Sequence, residues 1–165
     1  MFTVGILTMS DKGSRGERED VSGPVIREIV TKAFDCKVVK YEVIPDDPPV
    51  ISKKLAEWAD GGGIDVILTT GGTGLSPRDN TPEATLAILD KLVPGIPEAV
   101  RAGALSKTPM AMLSRAVAGI RKRTLIINMP GSPKAVRESL EIINLSLPHA
   151  VEIMTGAYTE HPVTK

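Results

Sequence analysis

Cysteine is nearly missing from this chain. Cys36 is the only one among 165 residues, so no intramolecular disulfide can form and no cysteine-rich zinc framework is available. Aromatic residues are also scarce: Trp58, Tyr41, Tyr158, Phe2 and Phe34 are too few for a base-stacking platform. Net charge is absent, because 20 Lys and Arg balance 20 Asp and Glu, and a neutral chain has no global attraction for nucleic acid or an anionic membrane. No uncharged apolar run approaches the ~18 residues of a membrane span, and no basic segment leading into an apolar stretch opens the sequence. The expectation is a soluble, cytoplasmic protein with no nucleic-acid and no membrane partner. What is plentiful is punctuation, 15 Gly and 13 Pro, which marks loops of consequence. A chain of this length buries roughly 70% of its unfolded surface, so residues 1–165 read as one domain.

Phe2 to Thr8 is a short apolar run closed by Ser10-Asp11-Lys12-Gly13-Ser14, which predicts a buried strand feeding a turn. Ser22-Gly23-Pro24 offers a cap and a first-turn proline to a helix with Ile26, Ile29, Val30 and Ala33 on one face. Cys36 to Ile44 returns to β-branched residues and stops at Pro45-Asp46-Asp47-Pro48-Pro49, where proline removes donors and forces extended backbone before it. Ile51, Leu55, Trp58 and Ala59 share a helical face ending at Gly61-Gly62-Gly63, and Ile64 to Thr70 is the strongest strand signal. Thr81-Pro82-Glu83 reads as the cap and first turn of a helix carrying Leu86, Leu89 and Leu92. Thr124 to Met129 reads as a strand, Ser132-Pro133 as the start of a helix with Val136, Leu140 and Ile143, and Leu147 to Met154 as a closing helix. The β-α-β-α-β alternation predicts an α/β fold, with a mostly parallel sheet covered by helices on both faces.

In open α/β sheets ligands bind beyond the carboxyl ends of the strands. The loops to inspect are therefore Ser10-Asp11-Lys12-Gly13, Pro45-Asp46-Asp47, Gly71 to Pro82, and Asn128 to Lys134. Gly71, Gly72 and Gly74 let an anionic group approach backbone N–H donors ahead of a helix start, which fits phosphate. A tight strand-to-helix corner accounts for the same glycines, since their spacing matches neither a P-loop nor the dinucleotide fingerprint. Pro130-Gly131-Ser132-Pro133-Lys134 combines a capping hydroxyl, a helix start and a cation, and reads either as a second phosphate loop or as simple capping. Carboxylates beside a phosphate cradle make sense if a divalent cation lies between them or if they take protons. Asp46, Asp47 and Asp79 are the candidates, against the plainer reading of acidic turn residues. Hard oxygen ligands without His or Cys clusters point to Mg²⁺ rather than zinc. His149 and His161 are isolated, Cys36 reads as buried strand filler, and Arg121-Lys122-Arg123 as an exposed hairpin face, while Arg115 and Lys134 have the reach for phosphate.

Several ordered motifs together resemble one family. Thr69-Thr70-Gly71-Gly72-Thr73-Gly74, Arg78-Asp79-Asn80-Thr81-Pro82-Glu83-Ala84-Thr85, Leu113-Ser114-Arg115 and Asn128 to Val136 look like the molybdopterin adenylyltransferases, which include the G domain of gephyrin. The resemblance runs from Thr3 to about Gly156 and takes in Ser10-Asp11, Glu19 to Pro24 and Ile44-Pro45-Asp46. It implies a three-layer α/β/α sandwich and a homotrimer. It also implies transfer of AMP from Mg-ATP to the terminal phosphate of molybdopterin, with release of pyrophosphate and hand-over to a molybdenum-insertion protein. By position, Asp46 and Asp79 match the family's catalytic carboxylates and would place Mg²⁺; Ser114 matches a pterin-site serine; and Ser10, Asp11, Gly71, Gly72, Thr73, Gly74, Arg115, Pro130, Gly131, Ser132 and Lys134 complete the substrate-binding set. Asn80 stands where the family usually has Val, for which a local packing change is expected. The short segment between Ile143 and His149 is that of the compact, gephyrin-like form. The competing reading is a molybdopterin-binding scaffold of the same fold without catalysis; a third is another small nucleotide-phosphate enzyme.

Overall fold

The two apolar runs with the least alternation, Val66–Thr70 and Thr124–Met129, are buried along their whole length, as strands covered on both faces must be, and they pair in parallel with each other. The computed structural model describes residues 1–157; His161 and Tyr158 lie outside them. In chain order the elements are β1 (Phe2–Met9), the single turn α1 (Asp11–Ser14), α2 (Ser22–Ala33), β2 (Cys36–Ile44), α3 (Pro48–Asp60), β3 (Val66–Thr70), α4 (Thr81–Leu86), β4 (Lys91–Leu92) and α5 (Gly95–Leu105). A 3-10 helix (Pro109–Leu113), β5 (Ala118–Arg121), β6 (Thr124–Met129), α6 (Pro133–Ile143) and α7 (Ser146–Thr155) follow. The sheet order is β2-β1-β3-β6-β5-β4. The first four strands run parallel, while β5 and β4 form an antiparallel border.

Alternation along the central strands splits the apolar residues between two cores. Val4, Ile6, Leu68, Leu125 and Ile127 face α2, α6 and α7, which contribute Ile26, Val30, Val136, Leu140 and Leu147. Leu7, Ile67 and Ile126 face the other way, onto Ile51, Leu55 and Trp58 of α3 and Ala84 of α4. The fold is thus the α/β class with a mostly parallel sheet and helices on both faces.

Three local expectations need correction. Ser10 to Ser14 is a helical turn, with the Ser10 hydroxyl accepting from Gly13 N. Ser22 does not cap α2: the Asp20 carboxylate takes the Ser22 and Gly23 amides, and the Ser22 hydroxyl donates to Gly131 O. Thr81 does not cap α4 either, and α4 ends at Leu86, so that Leu92 enters β4. The segment leading to α5 carried no helix expectation, because Gly95 and Gly103 weaken its helical signal. Gly103 packs against α6, where a Cβ would lie 2.6 Å from Ile142 Cδ1 and the end of that side chain would have to move.

Candidate active site

Because β2, β1, β3 and β6 run parallel, their exit loops meet on one edge of the sheet. Gly71 and Gly72 turn the chain there with φ of +93° and +68°, a region costly for any residue with a Cβ. A Cβ on Gly71 would lie 2.5 Å from Met9 O, and one on Gly72 2.3 Å from Thr81 Oγ1. The tight-corner reading of these glycines therefore holds, whatever they bind. Side chains stitch the loops together: Thr70 Oγ1 donates to Pro130 O at 2.7 Å, Thr81 Oγ1 to Gly71 O at 2.9 Å, and Ser22 Oγ to Gly131 O at 2.7 Å.

An acidic cavity of about 440 Å³ opens at this edge, lined by Ser10, Asp46, Gly71, Gly72, Asp79 and Gly131 together with Arg18, Glu19 and Asp20. Asp46 and Asp11 hold each other: Asp46 Oδ2 accepts from Asp11 N at 2.9 Å, and Asp11 Oδ1 accepts from Asp46 N at 3.0 Å. Burial pushes the Asp46 carboxyl above its usual value, and the charges of Asp11 and Asp79 push the same way, against the Asp11 amide and Arg78. Asp79 closes its own turn by accepting Ser76 N on Oδ2 at 2.9 Å. Each carboxylate thus commits Oδ2 to an amide, and Oδ1 of Asp79 takes no hydrogen bond from the described residues. Among them there is no group of three or more His, Cys, Asp or Glu able to hold a metal ion. Two carboxylates in one cavity nevertheless fit Mg²⁺, which binds through one or two carboxylates and completes its octahedron with phosphate oxygens and water.

A second cavity, of about 300 Å³, adjoins the first. Thr73, Gly74, Ser114 and Pro130 line it beside an apolar wall that includes Ile96, Val100 and Leu113, with Arg101 and Glu138 as its charged groups. The loops after β3 and β6 contribute to both cavities, so one partition has an acidic side and an apolar side.

The remaining predicted residues have other partners. Asp11 receives the Arg78 guanidinium on both oxygens, at 3.0 and 2.8 Å, which holds its carboxyl below the usual range. Arg115 pins the loop after β3: Nε donates to Gly74 O at 2.8 Å, the other nitrogens reach Asp79 O and Glu83, and its amide donates to Thr73 O at 3.0 Å. Ser132 caps α6 by accepting Ala135 N at 3.2 Å, and Lys134 follows on the exposed first turn. Asp47 caps α3 through Val50 N. Asn80 donates to Pro77 O at 3.1 Å, the local packing of a turn. Cys36 is half-buried rather than fully buried; its thiol, raised by burial and then by Asp35, donates to Val30 O.

Sequence reasoning missed two groups. Asp20 accepts from Thr8 Oγ1 and Tyr41 OH, both at 2.6 Å, besides two α2 amides; an aspartate two residues ahead of Ser22-Gly23-Pro24 was the available signal. Arg101 donates to Ser114 O and Ala116 O at 3.3 and 3.0 Å, and nothing local in its helix marks it.

Residues 5–149 match the family described as "Probable molybdopterin binding domain". A molybdopterin adenylyltransferase from Helicobacter pylori J99 is 40% identical over 158 residues, covering 95% of this chain and 90% of the relative. The crystal structure of the molybdopterin biosynthesis enzyme MoaB of Thermus thermophilus superposes with a TM-score of 0.88 at 58% identity, over 94% of this chain and 98% of that one. The tungsten cofactor synthesizing protein MoaB of Pyrococcus furiosus gives 0.83 at 39% identity, over 93% and 96%.

Proposed function

The chain belongs to this family of molybdopterin-binding domains, and from that premise we propose that it is a molybdopterin adenylyltransferase acting in molybdenum cofactor biosynthesis. The enzyme transfers AMP from ATP to the terminal phosphate of molybdopterin. A phosphate oxygen of molybdopterin bonds to the α-phosphorus, the bond from that phosphorus to the bridging oxygen breaks, and pyrophosphate leaves with the electron pair. The observation that carries this reading is the shared partition: a carboxylate-lined cavity suited to a metal-bound triphosphate abuts an apolar slot suited to a flat heterocycle.

Asp46 and Asp79 hold Mg²⁺ in this reading, and the bound ion supplies neutralisation of charge on the phosphates. The amides of Gly71 to Gly74 and the start of α6 at Ser132 offer donors to phosphate. Thr73, Ser114 and Pro130 orient the pterin. The nucleophile is already an anionic oxygen, so positioning of two polyanions is the main work and no histidine or cysteine is called for. We place the protein in the cytoplasm as a homotrimer that passes adenylylated molybdopterin to a molybdenum-insertion protein. Among the described residues no helix is long and apolar enough to cross a membrane.

Incubation with molybdopterin, ATP and Mg²⁺ is expected to yield adenylylated molybdopterin and one equivalent of pyrophosphate. Tight pterin binding with no product would replace the reading with a scaffold, and ATP hydrolysis without pterin would replace it with another nucleotide enzyme.

A further inference from the structure

Asp11 is anionic and stands beside a cavity read as a phosphate site, so direct contact with substrate phosphate would be repulsive. Its partners give it a different task. Both of its oxygens are gripped by Arg78, at 3.0 and 2.8 Å, the forked geometry in which a guanidinium fixes the plane of a carboxylate. The same carboxylate accepts Asp46 N at 3.0 Å, while Asp11 N donates to Asp46 Oδ2 at 2.9 Å. The backbone under this clasp is already registered, since Met9 of β1 pairs with Ile44 of β2 and Ser10 N donates to Ile44 O at 2.8 Å.

Arg78 comes from elsewhere. It sits in the turn after β3, next to Asp79, whose carboxylate closes that turn through Ser76 N. Among the described residues, the Arg78 to Asp11 pair is the only hydrogen-bonded link between residues 75–80 and the loops after β1 and β2. Arg115 also anchors this turn, through Gly74 O, Thr73 O and Asp79 O. Arg78 therefore ties the loop that carries Asp79 to the loop that carries Asp46.

We propose that Arg78 and Asp11 are positioning residues for adenylyl transfer, a guanidinium–carboxylate strap across three loops that sets the orientation of Asp46 and its spacing from Asp79. The proposal rests on the reading of Asp46 and Asp79 as the cation-holding pair. Mg²⁺ demands near-ideal octahedral geometry, so spacing between its two protein ligands controls affinity even though neither Arg78 nor Asp11 touches it. Outer partners of metal ligands commonly change metal affinity by about 10- to 100-fold.

The test measures Mn²⁺ binding to the full chain by electron paramagnetic resonance, with a non-hydrolysable ATP analogue present, alongside pterin binding by fluorescence and thermal melting. Arg78→Ala is expected to weaken Mn²⁺ by about tenfold while leaving pterin affinity and the melting temperature near the parent's. Asp11→Asn, which keeps an acceptor for the Asp46 amide but loses the charge that holds Arg78, is expected to match it. Arg78→Lys should fall between, because an ammonium cannot grip both oxygens. In an Asp46→Asn background, Arg78→Ala should cause no further loss. Parent-like Mn²⁺ affinity in Arg78→Ala would overturn the strap. So would an undiminished tenfold loss in the Asp46→Asn background, since Arg78 would then act on the phosphate itself. Parent-like affinity in Asp46→Asn alone would instead remove the cation-holding role of Asp46, and the proposal with it.

Discussion

Asp79 closes a turn and faces a cavity with the same side chain, so different substitutions separate the two tasks. Asp79→Ala removes both the turn acceptor and the charge, whereas Asp79→Asn retains an oxygen for Ser76 N. Both are expected to lower pyrophosphate release by on the order of 100-fold or more, the size of a lost preorganised contact to transition-state charge. Pterin affinity should be largely spared, because the pterin slot is lined by Thr73, Gly74, Ser114 and Pro130 rather than by Asp79. Near-normal turnover in Asp79→Asn would remove this carboxylate from the mechanism. Gly72 makes a different case. Its φ of +68° and the 2.3 Å approach of a would-be Cβ to Thr81 Oγ1 predict that Gly72→Ala destabilises the fold by about 1–3 kcal/mol. Urea denaturation measures this, and an unchanged midpoint would mean that the corner relaxes freely. The candidate acids were legible as residues, because carboxylates beside glycine-rich loops at strand ends stand out, although turn formation accounts for the same residue types. The clasp of Asp46 with Asp11 was not, since residues 35 apart in sequence meet only when β1 and β2 pair.

At the scale of elements, β1, β2, β3 and β6 and the helices α2, α3 and α6 were readable from periodicity, whereas β4 and β5 were not, and α3 and α6 begin where Asp47 and Ser132 cap them. The α2 cap was misread, because the acceptor for its first amides is Asp20, which lies before the helix. That aspartate also ties α2 to β1 and β2 through Thr8 and Tyr41, and the junction has a pH signature. Burial first, then the hydrogen bond to Asp20 and its charge, raises the Tyr41 phenol, while Arg27 over the ring lowers it. A group whose folded pKa lies above its unfolded value holds protons more tightly when folded, so its contribution is complete below the unfolded tyrosine pKa of about 10 and declines above it. Stability of the parent should therefore fall more steeply above about pH 10 than that of Tyr41→Phe, which lacks the titrating group; denaturation midpoints against pH for the two proteins check it. Parallel curves would exclude the phenol as the cause. The segment holding α5 and the 3-10 helix stayed unread, because Gly95 and Gly103 weaken its helical signal and its anchor Arg101 works through the carbonyls of Ser114 and Ala116.

For the whole molecule, Met110, Met112 and Leu113 of the 3-10 helix and Leu105 of α5 are exposed, and Met110 and Leu113 also line the apolar slot. Exposed side chains of this size fit burial between subunits. A mass of three chains in light scattering is the expected outcome, and a single-chain mass would contradict the trimer.

The zero net charge that first excluded nucleic acid and membrane partners conceals a local order, in which the acids Asp11, Asp46 and Asp79 gather at one edge with Arg78 among them. The sequence by itself determined the fold class, the strand-end loops and the acids that occupy them, because periodicity, proline and glycine act over a few residues. Only the tertiary structure decided that Asp11 pairs with Asp46 and Arg78, that Arg115 anchors the loop after β3, and that the loops after β3 and β6 line two cavities. Those facts depend on pairing β1, β2, β3 and β6 in parallel, which brings distant loops within hydrogen-bond range of one another.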